Sequence, residues 1–169
     1  MDEIMNLLIA EDDPVTQCAL EAMTAQLGYT VTSVGDGNTA WQTLRQLDAP
    51  TLALLDWNMP GLDGLEVIRN IRLEAPPRAC YLILLTASQE KDGVVEALQA
   101  GANDFIRKPC DVRELQARLA VGARVLEGEA ALSGFRTELA GAQARLAKIQ
   151  TPSCDCATCP GRLLRGIRQ

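Results

Sequence analysis

The sequence predicts an α/β fold: a doubly wound, five-stranded parallel sheet with helices on both faces, continued by an extended C-terminal helix. Three observations predict it. Five short apolar runs recur through the first 110 residues, each followed by a longer stretch of helical periodicity. The runs are apolar throughout rather than alternating, as in parallel strands buried on both faces. Beyond Asp111 the alternation stops, and neither proline nor a strand-like run interrupts residues 112–150.

The first strand is read at Leu7–Ala10, followed by a helix over Val15–Leu27 that Gly28 stops. Tyr29–Val34 is the second strand and Asn38–Leu47 its helix. Leu52–Leu55 is the third, with a helix over Leu65–Leu73 entered through Asp63 and Gly64 as turn and cap residues. Tyr81–Leu85 follows, then a helix over Val94–Ala100 ended by Gly101, then a weaker fifth strand at Asp104–Ile106. In the last helix Val112, Leu115, Leu119 and Leu126 form an apolar stripe suited to packing on the sheet. Further on, Val125, Leu132, Leu139 and Leu146 recur every seven residues, with Phe135, Ala142 and Ile149 at the accompanying positions of a coiled-coil seam. Gly122, Gly128, Gly134 and Gly141 each weaken the helix by roughly 1 kcal/mol, so it gains from pairing. A homodimer through residues 125–149 is expected, with an antiparallel fold-back as the alternative. Thr151-Pro152-Ser153 ends the helix. The expected division is an α/β domain over 1–124, a helical dimerisation segment over 125–150, and a tail with cysteines and arginines over 151–169.

Composition narrows the chemistry. The 169 residues contain no histidine, which removes histidine acid–base catalysis, histidine metal sites and Ser-His-Asp hydrolysis. Residues 1–111 carry 7 basic and 17 acidic side chains, and residues 112–169 carry 9 and 5. The acidic first part argues against nucleic-acid binding, and Arg162, Arg165 and Arg168 read as a solvated basic tail. The apolar runs are too short to span a membrane. With no signal-peptide pattern at the start, a soluble cytoplasmic protein is expected. Cys18, Cys80 and Cys110 read as buried small apolar residues.

The residues that follow the apolar runs carry the functional signal, because sheets of this class bind ligands at the C-terminal strand ends. Glu11, Asp12 and Asp13 follow the first strand, Asp56 the third, Thr86 the fourth, and Lys108-Pro109 the fifth. Converging carboxylates repel unless a cation neutralises them, and an oxygen-rich cluster suits Mg²⁺. Asp56 can then act as an attacking carboxylate, Lys108 as a charge on a phosphoryl oxygen, and the Thr86 hydroxyl as a donor. That set points to in-line phosphoryl transfer. Asp12 and Asp13 have a second reading, as caps of the helix beginning near Pro14. A dehalogenase-like phosphatase needs an aspartate two residues after its nucleophile, where this chain has Asn58. A flavodoxin-like electron carrier needs a Ser/Thr/Gly-rich loop after the first strand, where this chain has carboxylates.

The segments Leu8-Ile9-Ala10-Glu11-Asp12-Asp13, Leu55-Asp56-Trp57-Asn58-Met59-Pro60-Gly61-Leu62-Asp63-Gly64, Leu85-Thr86-Ala87 and Gly101 to Pro109 closely resemble the receiver domain of bacterial two-component response regulators. The resemblance runs from about Asn6 to about Leu126, and implies the flavodoxin-like form of the doubly wound sheet. It implies that Asp56 takes a phosphoryl group from a phosphohistidine of a sensor histidine kinase or phosphotransfer protein. It further implies Asp12 and Asp13 as the acidic pair serving Mg²⁺, with Asp13 the direct ligand, and the backbone carbonyl of Asn58 as another. Thr86 and Phe105 match the switch pair, whose movement alters the surface of the fourth helix, fifth strand and fifth helix. Such a protein is a regulator rather than an enzyme, catalysing only its own phosphorylation and dephosphorylation.

The tail adds Cys154, Cys156 and Cys159, three thiols within six residues. That spacing fits a second metal site for Zn²⁺ or another thiophilic metal, one ligand short of a closed tetrahedron, or a redox-active thiol group. The function class opposed to the phosphoacceptor is therefore a dimeric adaptor or metal/redox sensor with a rarely phosphorylated receiver fold. The downstream target is not encoded in any motif.

Overall fold

The computed structural model describes residues 5–74, 79–87 and 91–150. Strands β1 (Asn6–Ala10), β2 (Thr30–Val34), β3 (Thr51–Asp56), β4 (Cys80–Thr86) and β5 (Asp104–Arg107) alternate with α1 (Pro14–Ala25), α2 (Gly37–Gln46), α3 (Gly64–Glu74), α4 (Lys91–Ala100) and α5 (Val112–Gln150). All strand neighbours are parallel, in the order β2-β1-β3-β4-β5. The expected fold class is the observed one. By internal contacts the chain divides into two units, Met1–Ser133 and Gly134–Gln169, and the sheet belongs to the first.

The two-residue period of each strand sorts side chains onto two faces. Leu8, Ala10, Ala53, Leu55, Leu82 and Leu84 face α2, α3 and α4, whose Leu44, Ile68 and Ala97 cover them. Leu7, Ile9, Leu52, Leu54, Ile83 and Leu85 face α1 and α5, which contribute Leu20, Leu115, Leu119 and Leu126. β3 and β4 are buried along their whole length, so their apolar runs needed no alternation.

Helix ends follow local chemistry. Asp36 caps α2, its carboxylate accepting from the Thr39 amide at 2.8 Å and the Thr39 hydroxyl at 2.7 Å. Those two bonds hold it below the usual carboxylate range. Asp36 therefore adds stability above its unfolded-state pKa, and that share is lost as pH falls through the lower folded value. Acid titration of Asp36→Ala is expected to show a shallower loss of stability at the acidic end than wild type. At the other end of the α/β unit, α4 closes with the Gly101 amide donating to Leu98 and the Ala102 amide to Ala97, at 3.1 and 3.0 Å. Gly101 takes φ +101°, the left-handed conformation such an ending requires. Arg72 of α3 clasps this corner, donating from Nε to the Gly101 carbonyl, from Nη1 to the Cys80 carbonyl, and from Nη2 to Asn103 Oδ1.

Three expectations change. Cys18 is exposed, because α1 buries Leu20 and Thr24, and residue 18 lies about 200° around the helix from Leu20. Val112 stands 46% exposed at the first turn of α5, while Leu115, Leu119 and Leu126 pack as expected. Gly122 is a contact as well as a weak helix former: a Cβ there would lie 2.6 Å from both Leu52 Cδ2 and Tyr81 Cδ1.

Candidate functional site

Strand order reverses at β1, whose neighbours are β2 on one side and β3 on the other, so a crevice opens beyond the C-terminal ends of β1 and β3. Asp56 is the last residue of β3 and is 6% exposed. The loop after β1 sets Glu11 and Asp12 beside it. Carboxylate oxygens of Glu11, Asp12 and Asp56 lie within 4.8 Å of one another. Gln17 of α1 steadies the approach, its Nε2 donating to the Glu11 carbonyl at 3.3 Å and the Val34 carbonyl at 3.0 Å.

Lys108 closes the cluster. Its Nζ lies 2.6 Å from Glu11 Oε2 and 2.7 Å from Asp56 Oδ1. Its backbone amide donates to the Thr86 carbonyl at 2.8 Å, which ties the loop after β5 to the end of β4. The Lys108-Pro109 peptide is cis. Burial pulls the Lys108 ammonium down, but its bonds and charge interactions with Asp56 and Glu11 outweigh that and raise it. Glu11, with only 1% of its side chain exposed, is pushed up by burial, against the opposing pull of Lys108. One cation thus serves two buried carboxylates while a third, Asp12, stays exposed. A further hard cation fits this donor set of oxygens and the excess negative charge.

The structure brings Asp12, Asp56 and Lys108 together, with Thr86 at the end of the adjacent strand, 4% exposed. Asn58 is exposed in the bend just past β3. Phe105 is half-buried against the α2–α3–α4 face, with the Arg118 guanidinium 5.9 Å from its ring centroid. Arg118 Nη1 also donates to both carboxylate oxygens of Asp104, at 2.7 and 2.9 Å.

Asp13 stands outside the carboxylate cluster. It is the N-cap of α1, its Oδ2 accepting from the Thr16 amide at 2.9 Å and the Thr16 hydroxyl at 2.6 Å. Those bonds hold its carboxyl below the usual range, and Glu11 takes the place expected for it in the cluster. The signal was present in the sequence: Asp13-Pro14 with Thr16 three residues on is capping spacing. Glu11 is the first residue after a strand ending at Ala10. Cys154, Cys156 and Cys159, with their Zn²⁺ or redox reading, lie outside the described residues.

The sequence profile of the response regulator receiver domain matches residues 7–120. The chain belongs to that family. The RppA response regulator of Synechocystis is 38% identical over 116 residues, 68% of this chain and 49% of that protein. The transcriptional regulatory protein CseB of Streptomyces coelicolor is 38% identical over 142 residues, 84% of this chain and 58% of that one. The chain therefore spans about half the length of these relatives. Among solved structures, the receiver domain of the Pseudomonas aeruginosa sensor histidine kinase PA1611 superposes with a TM-score of 0.60 at 38% identity, covering 69% of this chain and 95% of that domain. That domain holds a magnesium ion coordinated in its active-site cleft. The receiver described here has its Glu11–Asp12–Asp56 cluster at the C-terminal edge of the sheet. Among the described residues no helix is long and apolar enough to cross a membrane.

Proposed function

We propose that this receiver is a phosphoacceptor: Asp56 takes a phosphoryl group from a phosphohistidine of a sensor histidine kinase or phosphotransfer protein. The observation that carries the reading is Lys108 Nζ lying 2.6 and 2.7 Å from Glu11 and Asp56 at the mouth of the crevice. An oxygen of Asp56 attacks phosphorus, the phosphorus–nitrogen bond of the donor breaks, and the electron pair leaves with the imidazole. Lys108 is placed to neutralise a phosphoryl oxygen, and the Thr86 hydroxyl to donate to another once that group is present. Asp12, Asp56 and the Asn58 backbone carbonyl would hold Mg²⁺, with Glu11 supporting from the buried side. The ion, when bound, offsets the repulsion among carboxylates and phosphoryl oxygens. Movement of Thr86 and Phe105 then changes the α4–β5–α5 surface, where Arg118 joins Phe105 to Asp104, and the change passes into α5. The same reading includes a homodimer, whose contact is taken up below.

Trp57 follows Asp56 directly and serves as the reporter. In a Trp41→Phe background, Mg²⁺ and then acetyl phosphate are each expected to change Trp57 fluorescence, with intact mass showing the gain of one phosphoryl group. Asp56→Asn is expected to lose the second response and the mass gain. A wild-type protein whose mass stays unchanged with acetyl phosphate and Mg²⁺ overturns the proposal.

The metal assignment has its own test. Asp12→Asn is expected to weaken the Mg²⁺ response of Trp57 by about tenfold or more, since it removes a ligand charge. Asp13→Ala is expected to lower the thermal midpoint by a few degrees through the lost cap while leaving that response nearly unchanged. The reverse pattern restores Asp13 as the ligand.

A further inference from the structure

Leu126 is the last buried residue of α5 among those described, and every residue from Glu127 to Leu146 is exposed. Within that stretch Leu132, Phe135, Leu139 and Leu146 stand 60%, 68%, 61% and 57% exposed. Helices without tertiary packing are marginal in water. This one also carries Gly128, Gly134 and Gly141, and a Cβ at any of them would meet nothing within 4 Å. The apolar residues nonetheless keep to one stripe. Val125, Leu132, Leu139 and Leu146 are seven apart, and Phe135 falls three after Leu132. That is the a and d pattern of a two-stranded coiled coil.

We infer that residues 125–149 of α5 pair with the same segment of a second copy of this chain, as a parallel two-stranded coiled coil. Charge decides both the occupant and its direction. With Val125 at a, Arg124 falls at g and Glu129 at the following e position, so each Arg124 faces Glu129 of the second copy across a parallel seam. Of the next g positions, Ala131 faces Arg136 and Glu138 faces Gln143, so the parallel pairing sets no like charges together at these positions. An antiparallel alignment pairing Leu139 with Phe135 sets Glu138 of one copy beside Glu138 of the other. The exposed apolar stripe is thus self-complementary in one orientation.

Sedimentation velocity on the full chain across a wide concentration range tests this, with reductant and EDTA present so that neither thiol oxidation nor bound metal contributes. A reversible monomer–dimer equilibrium is expected. Leu139→Asp is expected to weaken it about a hundredfold, because two leucines per dimer are lost from the seam. Arg124→Glu is expected to weaken it severalfold by facing Glu129 of the second copy. Gly134→Ala with Gly141→Ala lies off the seam and is expected to tighten it roughly tenfold through helix propensity. Each of these side chains is exposed in the single chain, so the receiver fold survives every variant. A monomer at all concentrations overturns the inference, as does a dimer untouched by Leu139→Asp. A dimer sensitive to Leu139→Asp but blind to Arg124→Glu overturns the parallel arrangement. Phosphoryl uptake is read separately by mass, so either reading can fail while the other stands.

Discussion

Lys108→Met is expected to destabilise the Mg²⁺-free receiver by roughly 3 kcal/mol or more, the range for removing one partner of a buried ion pair. The reason is the asymmetry of the cluster. Glu11 is 1% exposed and the Asp56 side chain 8%, and both depend on the one ammonium, itself 21% exposed. Without it, the two buried carboxylates keep no ion-pair partner among the described residues. Protonating one of them is then the cheapest relief, so the variant is expected to recover part of its stability as pH falls. Added Mg²⁺ is expected to recover part of it too, because a second cation can replace the missing charge. Phosphoryl uptake from acetyl phosphate at saturating Mg²⁺ is expected to slow by about a hundredfold, as for loss of one preorganised electrostatic group. Denaturant unfolding with and without Mg²⁺, beside a mass-based uptake rate, measures all three effects. An Lys108→Met protein as stable as wild type without Mg²⁺ would show that the ion pairs carry no net stabilisation.

The second large effect comes from a residue with no side chain. A Cβ at Gly64 would sit 2.3 Å from the Asp56 carbonyl oxygen and 2.8 Å from Leu84 Cδ1. The first of these is backbone at the end of a fully buried strand, so it cannot rotate away. Gly64 also donates its amide to the Trp57 carbonyl at 2.9 Å, which fixes the start of α3 against the residue beside Asp56. Gly64→Ala is therefore expected to cost about 3 kcal/mol, the upper range for overpacking a rigid site. Folded material is expected to take up phosphoryl groups about a hundredfold more slowly, since displacements near 1 Å at a reacting atom have that effect. Gly134→Ala is the natural control, because its added methyl meets nothing within 4 Å. Equal behaviour of the two variants would remove the steric argument.

The α/β core was legible because its physics is local and repetitive. β3 and β4 are buried from end to end, so their apolar runs needed no partner to be recognised. The glycine at 101 and the Asp63-Gly64 entry to α3 were equally plain, since few residues tolerate those conformations or contacts. Assignments failed where one residue type serves two purposes. Aspartate is both a good cap and a good ligand, and Asp13 became the cap because Pro14 and Thr16 completed that geometry. Cys18 was misplaced because a helix face is set by what it packs on, and a rotation of two residues exchanges inside for outside; Val112 shares the face of Leu119 but stands at the very start of α5 and is 46% exposed there. Gln17 and Arg118 left no signal at all. Their partners are backbone carbonyls and a carboxylate from other elements, and only the folded chain brings those into reach.

The clasp of Arg72 on Gly101, Cys80 and Asn103 has a mechanical meaning. It fastens the C-terminal end of α4 to α3 and to the start of β4, at the edge of the sheet opposite the carboxylate cluster. A rod fixed at one end moves by pivoting, with displacement growing in proportion to distance from the fulcrum. The other end of α4 is the one nearer Thr86, and between the two Arg69 of α3 holds Glu96 at 3.2 Å. On the proposed reading, a small shift of the Thr86 hydroxyl toward a phosphoryl group would act on α4 at the end away from this clasp, where a given push turns the helix furthest.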